Sequence, residues 1–391
     1  MTFARYSVIV VIAQIRIVEG ILTFMDSKIY GFVGLGLIGG SMARAIKNAE
    51  PDCKIIAYTP HRSTVEAAKS EGTIDVALDR IGPEFTACDY IFLCAPVEIN
   101  NDNMELLLPY LSPRTTLTDI GSVKNSIHEK VQELGLEKQF IGGHPMAGTE
   151  RIGYQNSKAT LLENAYYILT KTDNCDEERL EDYYNLVRKM GAIPLVVPYL
   201  QHDYATAAIS HVPHVLSAAL VNLVKDSDNE DHLMKTIAAG GFKDITRISS
   251  SSPVMWQQIC NTNSDNISGL LESLIDSLID IKLAVDEHDN DKLLDFFTSA
   301  RTYRESFTDF ASGPIPKTYV LHVEINDQPG RLAAVAVLLS DHNVNIKNIG
   351  IVHNREYERG TLRIEFHNGR DLEQATSLLT ASEYTVILAQ G

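Results

Sequence analysis

The chain is 391 residues long, more than one hydrophobic core organises, so two or three domains are expected. It is 45% hydrophobic and 22% charged, ordinary for a globular protein, and its formal net charge of -17 excludes a nucleic-acid surface, which needs a basic face. An anionic ligand must therefore be captured by a local cluster of cations against the overall field, which gives individual Arg, Lys and His residues added weight.

Two nearly apolar runs, 6–12 and 15–24, open the chain. No small-residue cleavage site follows them, and Gln14, Arg16 and Glu19 interrupt the second well short of a membrane span. Residues 1–25 read as a dispensable extension ahead of the first strand, with an extra strand or an oligomer contact as the alternative. From Lys28 short apolar runs alternate with helical patterns, which predicts a parallel sheet with crossover helices. Strands are expected over 29–33, 54–58, 90–94, 115–119, 140–143, 166–170 and 193–197, and helices over 41–48, 124–134 and 177–190.

Between the first strand and its helix stands Gly34-Leu35-Gly36-Leu37-Ile38-Gly39. Gly34 permits a tight turn, Gly36 lets backbone approach a pyrophosphate, and Gly39 lets helix pack on strand, with the helix N-terminus favouring the phosphate charge. Strand, spacing and helix agree, so the segment reads as a dinucleotide clasp rather than a structural glycine turn. About 20 residues beyond the third glycine a carboxylate usually holds the adenosine ribose; here Thr59 stands there. Thr59, Arg62 and Ser63 could hold a 2′-phosphate instead, which leaves NAD and NADP both open.

Ser122 follows the strand over 115–119, where it can donate to a ligand or cap the next helix. His144 follows the strand over 140–143, at the sheet edge where open α/β sheets bind ligands. After Pro198 strand signals cease, and apolar periodicity predicts helices over 204–224, 267–285 and 291–310. Such a helical domain in a dehydrogenase is often where subunits meet, so a homodimer is expected. Ser210-His211-Val212-Pro213-His214 places two histidines at a helix start, Gly240-Gly241 forms a glycine turn ahead of Lys243 and Arg247, and Trp256 is the only tryptophan. Gly313, Pro314, Pro316 and Lys317 mark a linker. Beyond it strands over 319–325, 345–352, 360–366 and 385–388, with helices over 332–341 and 371–379, give the β-α-β-β-α-β order of a ferredoxin-like module. The five cysteines are scattered with no C-x-x-C pair, which fits reduced thiols in a cytosol and argues against a disulfide framework or a zinc site.

The run H-P-M-A-G-T-E at 144–150, with G-S-V-K at 121–124, S-H-V-P-H at 210–214, G-F-K-D-I-T-R at 241–247 and P-V-M-W at 253–256, resembles the prephenate dehydrogenase family of tyrosine biosynthesis. The resemblance covers roughly 28–310, and the segment around Asn326 to Leu332 is similar to an ACT domain, an amino-acid-sensing module. It implies an α/β architecture: a Rossmann domain over 26–198, a helical dimerisation domain over 199–312 and a ferredoxin-like ACT domain over 317–391. It implies oxidative decarboxylation of prephenate to 4-hydroxyphenylpyruvate, with His144 taking the ring hydroxyl proton and Ser122 orienting it. His214 and Arg247 would hold the carboxylates; Thr149, Glu150, Gly240, Met255 and Trp256 match further active-site positions. Asp327, Pro329, Gly330 and Arg331 would hold an effector, tyrosine by expectation, in a cytoplasmic enzyme without a membrane or nucleic-acid partner. Arogenate dehydrogenase is the nearest alternative. A β-hydroxyacid dehydrogenase would want a catalytic lysine with a glycine-rich lead, which Lys225 lacks, and a non-catalytic amino-acid sensor would leave Ser122, His144 and Arg247 without a task.

Overall fold

The computed structural model describes residues 27–149, 151–310, 319–326, 328–353, 359–366 and 368–388. The expected extension over 1–25, the linker at 313–317, Glu150 and Asp327 lie outside the described residues. The chain divides into two compact units, one ending at Ser277 and one beginning at Leu278.

In the first unit β1 (Ile29–Val33), α1 (Leu37–Ala49), β2 (Lys54–Tyr58), α2 (Arg62–Ser70), β3 (Val76–Leu78), β4 (Tyr90–Leu93), α3 (Val97–Leu107), β5 (Thr116–Asp119), α4 (Asn125–Glu133) and β6 (Ile141–Pro145) follow in turn. Strands β1 to β5 form a parallel sheet in the order β3-β2-β1-β4-β5. The chain reverses its direction of growth between β1 and β4, and at such a switch point the carboxyl ends of the strands open a crevice. Strand β6 continues beside β5 through a parallel bridge at Leu117 and Phe140, where Leu117 N–H donates to the Gln139 carbonyl at 2.8 Å. It pairs with β7 (Tyr166–Lys171), which after α5 (Glu177–Lys189) pairs with β8 (Ile193–Val196).

Both faces of the parallel sheet are covered, so its strands read as continuous apolar runs rather than alternating ones. Tyr30, Phe32, Tyr90 and Phe92 pile on one face against Tyr183 of α5, with Phe32 and Phe92 stacked at 4.8 Å. Val33, Ile91, Leu93 and Leu117 fill the other.

The helical part holds α6 (Tyr199–Thr206), α7 (Val212–Ser227), the short α8 (Leu233–Ile237), α9 (Gly240–Thr246), α10 (Pro253–Thr262), α11 (Ser264–Asp286) and α12 (Asn290–Phe310). A π-helical turn, Ala207–His211, joins α6 to α7, making one 29-residue helix from Tyr199 to Ser227. The helix predicted over 204–224 therefore starts five residues early. His202 and Asp203 break the apolar periodicity because they are buried for polar reasons. Ser210 to His214 sits in mid-helix, not at a helix start. Pro213 lacks an N–H, and a π turn just ahead of it absorbs the lost i to i−4 bond. The expected glycine turn at Gly240 is the beginning of α9.

In the second unit β9 (Tyr319–Asn326), α13 (Arg331–Asp341), β10 (Ile346–His353), β11 (Arg359–Phe366), α14 (Gly369–Ala381) and β12 (Val386–Leu388) build an antiparallel sheet in the order β10-β11-β9-β12. Leu321, Val323, Leu362 and Ile364 pack under Val335, Leu339, Ala375 and Leu379 of the two helices. This is the expected ferredoxin-like module.

Candidate active site

The glycine segment at 34–39 has the tight turn and the close helix–strand approach that its spacing implies. Gly34 has φ +96°, and a Cβ there would sit 2.8 Å from the Cys94 carbonyl carbon and 2.9 Å from Ala95 N. Only glycine fits that turn. A Cβ on Gly39 would meet the Gly34 carbonyl oxygen at 3.0 Å, so its absence lets α1 close on β1. Gly36 is different: a Cβ there would meet nothing within 4 Å. The open backbone at the N-terminus of α1 thus fits the pyrophosphate of a dinucleotide, where N–H groups and the helix dipole favour negative charge. Leu35 is buried, and Ile38 packs against the core, while Leu37 opens the helix.

At the ribose end, Thr59 is half-buried just beyond β2 and Ser63 is exposed. Arg62, expected to offer its charge to a 2′-phosphate, is held instead by Glu66 at 2.7 Å and Asp79 at 3.0 Å. Two carboxylates beside this loop oppose a further phosphate.

The chemistry sits one strand over. Asp119 ends β5 and pairs with Lys124, both fully buried. The Lys124 ammonium also donates to the Gly143 carbonyl at 2.7 Å, and the Asp119 carboxylate accepts from Gly121 N–H at 2.8 Å. These bonds pin β6 beside β5 and so fix His144, which lies within β6 rather than after it. Ser122 is half-buried, and among the described residues no hydrogen bond joins it to His144. It does not cap α4 either. The Asp203 carboxylate does so, accepting from Lys124 N–H at 2.8 Å and Asn125 N–H at 2.7 Å. The group that orients His144 is His202, whose Nε2 lies 2.8 Å from His144 Nδ1; His202 Nδ1 in turn lies 2.7 Å from Asp203 Oδ1. Burial holds the His144 imidazolium well below its usual pKa, and His202, Lys124 and His211 add to the shift. The ring is therefore neutral near pH 7, as a proton acceptor must be.

A second group of side chains meets on the helical side. His214 stacks on Trp256 with ring centres 3.7 Å apart, and its Nδ1–H donates to the Ser210 carbonyl at 3.0 Å. Burial and then the Arg247 charge lower the His214 pKa. The indole N–H of Trp256 is buried and has no protein acceptor among the described residues. Met255 is exposed, Gly240 opens α9 with free space above it, and Thr149 lies on the exposed loop after β6, accepting from Arg151 N–H at 3.2 Å. His211, in the π turn, connects the two groups: its ring meets Trp256 edge-on at 6.0 Å, and burial lowers its pKa to about 4. Helix α7 thus brings together the S-H-V-P-H, G-F-K-D-I-T-R and P-V-M-W segments, while α6 carries His202 and Asp203, which motif reading missed. Their signal was two polar residues interrupting an apolar helical pattern.

In the second unit Gly330 has φ +87° and caps α13. Arg331 lines a cleft of about 310 Å³ with Glu324, Asn326 and Tyr384. A larger cleft of about 590 Å³ lies among Pro113, Gly135, Gln139 and Arg179, at the amino ends of β5 and β6 and away from the crevice.

Comparison with known proteins agrees with this geometry. Residues 42–196 match the family described as prephenate dehydrogenase, nucleotide-binding domain; 200–299 match its dimerization domain; 321–386 match an AHAS small subunit-like ACT domain. Prephenate dehydrogenase of Bacillus subtilis is 36% identical over 91% of this chain and 97% of its own length, and that of Lactococcus lactis is 32% identical over 91% and 98%. Among solved structures, prephenate dehydrogenase from A. aeolicus, in complex with hydroxyphenyl propionate and NAD+, superimposes with a TM-score of 0.68 at 29% identity. That match covers 72% of this chain and 99% of the other. Synechocystis arogenate dehydrogenase gives a TM-score of 0.65 at 29% identity over 71% and 99%.

Proposed function

The chain belongs to the prephenate dehydrogenase family, and from that premise we propose that it converts prephenate to 4-hydroxyphenylpyruvate and carbon dioxide with NAD. The observation that carries this reading is His144, neutral and held at the carboxyl edge of β6, with the His214, Trp256 and Arg247 group reached through His211. Bound NAD supplies the hydride acceptor. His144 accepts the hydrogen bond of the ring hydroxyl and draws its proton away as hydride leaves the same carbon. Loss of the ring carboxylate as carbon dioxide leaves an aromatic ring, so alignment is the main demand on the protein. Arg247 holds carboxylate, the buried Trp256 N–H offers a further donor, and His214, whose Nδ1–H is spent on the Ser210 carbonyl, donates to a carboxylate from Nε2 only as the imidazolium. Ser122, Thr149, Gly240 and Met255 border the substrate, with roles in positioning it.

NAD is favoured over NADP because Arg62 is already neutralised by Glu66 and Asp79. The apolar surface exposed at Ile209, Leu223, Ile237 and Ile245 supports a homodimer through the helical part. Burial pushes the Cys53 and Cys88 thiols up to about 11 and about 12, which makes them inert and suits a cytoplasmic enzyme. The second unit would bind tyrosine as feedback inhibitor, at the turn of Pro329, Gly330 and Arg331 with Asp327.

The test is a steady-state assay of the purified protein with prephenate and with arogenate, each with NAD and NADP, following reduced cofactor and aromatic product. Prephenate with NAD should give the highest kcat/KM. Turnover of arogenate alone would move the reading to the amino-acid substrate, and no turnover of either would overturn it.

A further inference from the structure

The structure assigns His202 and Asp203 a part in the chemistry of His144: they form a relay that fixes which nitrogen of His144 is the base. This rests on the reading of His144 as proton acceptor given above.

The assignment follows from the donors and acceptors. The Asp203 carboxylate takes two backbone N–H groups at the start of α4, from Lys124 at 2.8 Å and Asn125 at 2.7 Å. It sits at the positive end of that helix and accepts only. Its third partner, His202 Nδ1 at 2.7 Å, must therefore carry the hydrogen. A neutral imidazole has one N–H, so His202 Nε2 is left as an acceptor. Facing it at 2.8 Å, His144 Nδ1 must be protonated, and the lone pair of His144 rests on Nε2. On the reading of His144 as proton acceptor, that nitrogen takes the proton of the substrate's hydroxyl.

Once Nε2 takes a proton, His144 carries hydrogen on both nitrogens and a positive charge. The Nδ1–H stays on His202, and the Asp203 carboxylate balances the charge through one intervening ring. The other carboxylate close by among the described residues, Asp119, accepts from Gly143 N–H at 3.3 Å and is paired with Lys124. The groups facing this pair are Lys124, already paired with Asp119, and His128 on α4, together with His211 in the π turn. His202 and Asp203 are 2% and 1% exposed, so they act on the reaction through His144 and are positioning residues.

Two variants separate this from plain packing. His202→Gln keeps an amide acceptor near the position of Nε2, whereas His202→Leu fills the space without one. We expect His202→Leu to lose roughly 10²-fold in kcat with KM little changed, inside the range of about 10²–10⁴ for general-base catalysis. The acid limb of its kcat profile should also move, and His202→Gln should recover to within about tenfold of the parent. A His202→Leu enzyme of near-parent kcat overturns the relay, and so does a folded His202→Gln enzyme as poor as His202→Leu. A second measurement does not depend on activity: ¹⁵N chemical shifts of histidine-labelled parent protein, with the His144 signals assigned by their loss in His144→Asn. Protonated Nδ1 and bare Nε2 on His144 support the relay; the opposite tautomer defeats it even if the enzyme is active. Conversely, absence of dehydrogenase activity together with this tautomer overturns the functional reading and leaves the hydrogen-bond assignment standing.

Discussion

His144 and Arg247 differ in when their interactions matter, and kinetics can tell them apart. His144→Asn removes the proton acceptor, so kcat should fall by about 10²–10⁴ while KM changes little. Arg247→Ala removes charge that binds carboxylate in ground and transition states alike, so it should mainly raise KM. A His144→Asn enzyme of normal kcat would shift the base to His214. The glycines divide in the same way. Gly36→Val adds side chain where nothing else lies within 4 Å, so the melting temperature should hold while the KM for NAD rises at least about tenfold, the equivalent of 1.4 kcal/mol. Gly34→Ala forces a Cβ onto backbone at positive φ and should destabilise the fold by about 1–3 kcal/mol. Equal melting temperatures for the two variants would contradict this division. The turn at Gly34 and the close packing at Gly39 were legible in the sequence because a strand, a fixed spacing and a helix over-determine them. His202 was not legible: its meaning depends on a hydrogen bond across 58 residues to His144, and no local pattern carries that.

Elements were read well where periodicity alone decides, as in β1, β2 and the strands of the second unit, and poorly where polar function interrupts it. The start of α6 is the example, since His202, Asp203 and Thr206 are all buried on what would otherwise be an apolar stripe. Helix α4 shows the energetic side of such burial. His128 lies between Thr170, at 2.8 Å, and the face of Tyr199, at 4.3 Å. Burial, then the Lys124 charge, lowers its pKa to about 3, and burial lowers that of His211 to about 4. Both are neutral in the folded protein at pH 6.5, where the unfolded chain begins to protonate them. Below that pH the unfolded state binds more protons, so their contribution to stability is complete above pH 6.5 and is lost as pH falls towards 4 and 3. The melting temperature should therefore drop steadily from pH 6.5 to 4, more steeply in the parent than in His128→Gln. A parent profile flat over that window would show that these histidines are accessible to protons in the folded state.

At the level of the whole molecule, the residues proposed for catalysis lie in the first unit, and within the second the strands and helices from β9 onward form a module of their own. That module has its own core of Leu321, Val323, Ile364 and Leu379, distinct from the cores under the parallel sheet. Such independence makes removal of residues 317–391 a fair experiment, since the cut falls ahead of β9 and takes the ferredoxin-like module whole. The truncated enzyme should keep its kcat and its KM for prephenate. The parent should be inhibited by tyrosine, and the truncated form should not, because the turn of Gly330 at φ +87° offers backbone N–H groups where an amino acid can dock, with Arg331 at the edge of the adjoining cleft. Sedimentation of both forms adds a control. If the dimer depends on the exposed apolar residues of α7 to α9 alone, both sediment as dimers, and loss of inhibition is then a loss of the effector site rather than of assembly. Inhibition that survives the truncation unchanged would place tyrosine in the catalytic crevice, where its phenol ring resembles the product's.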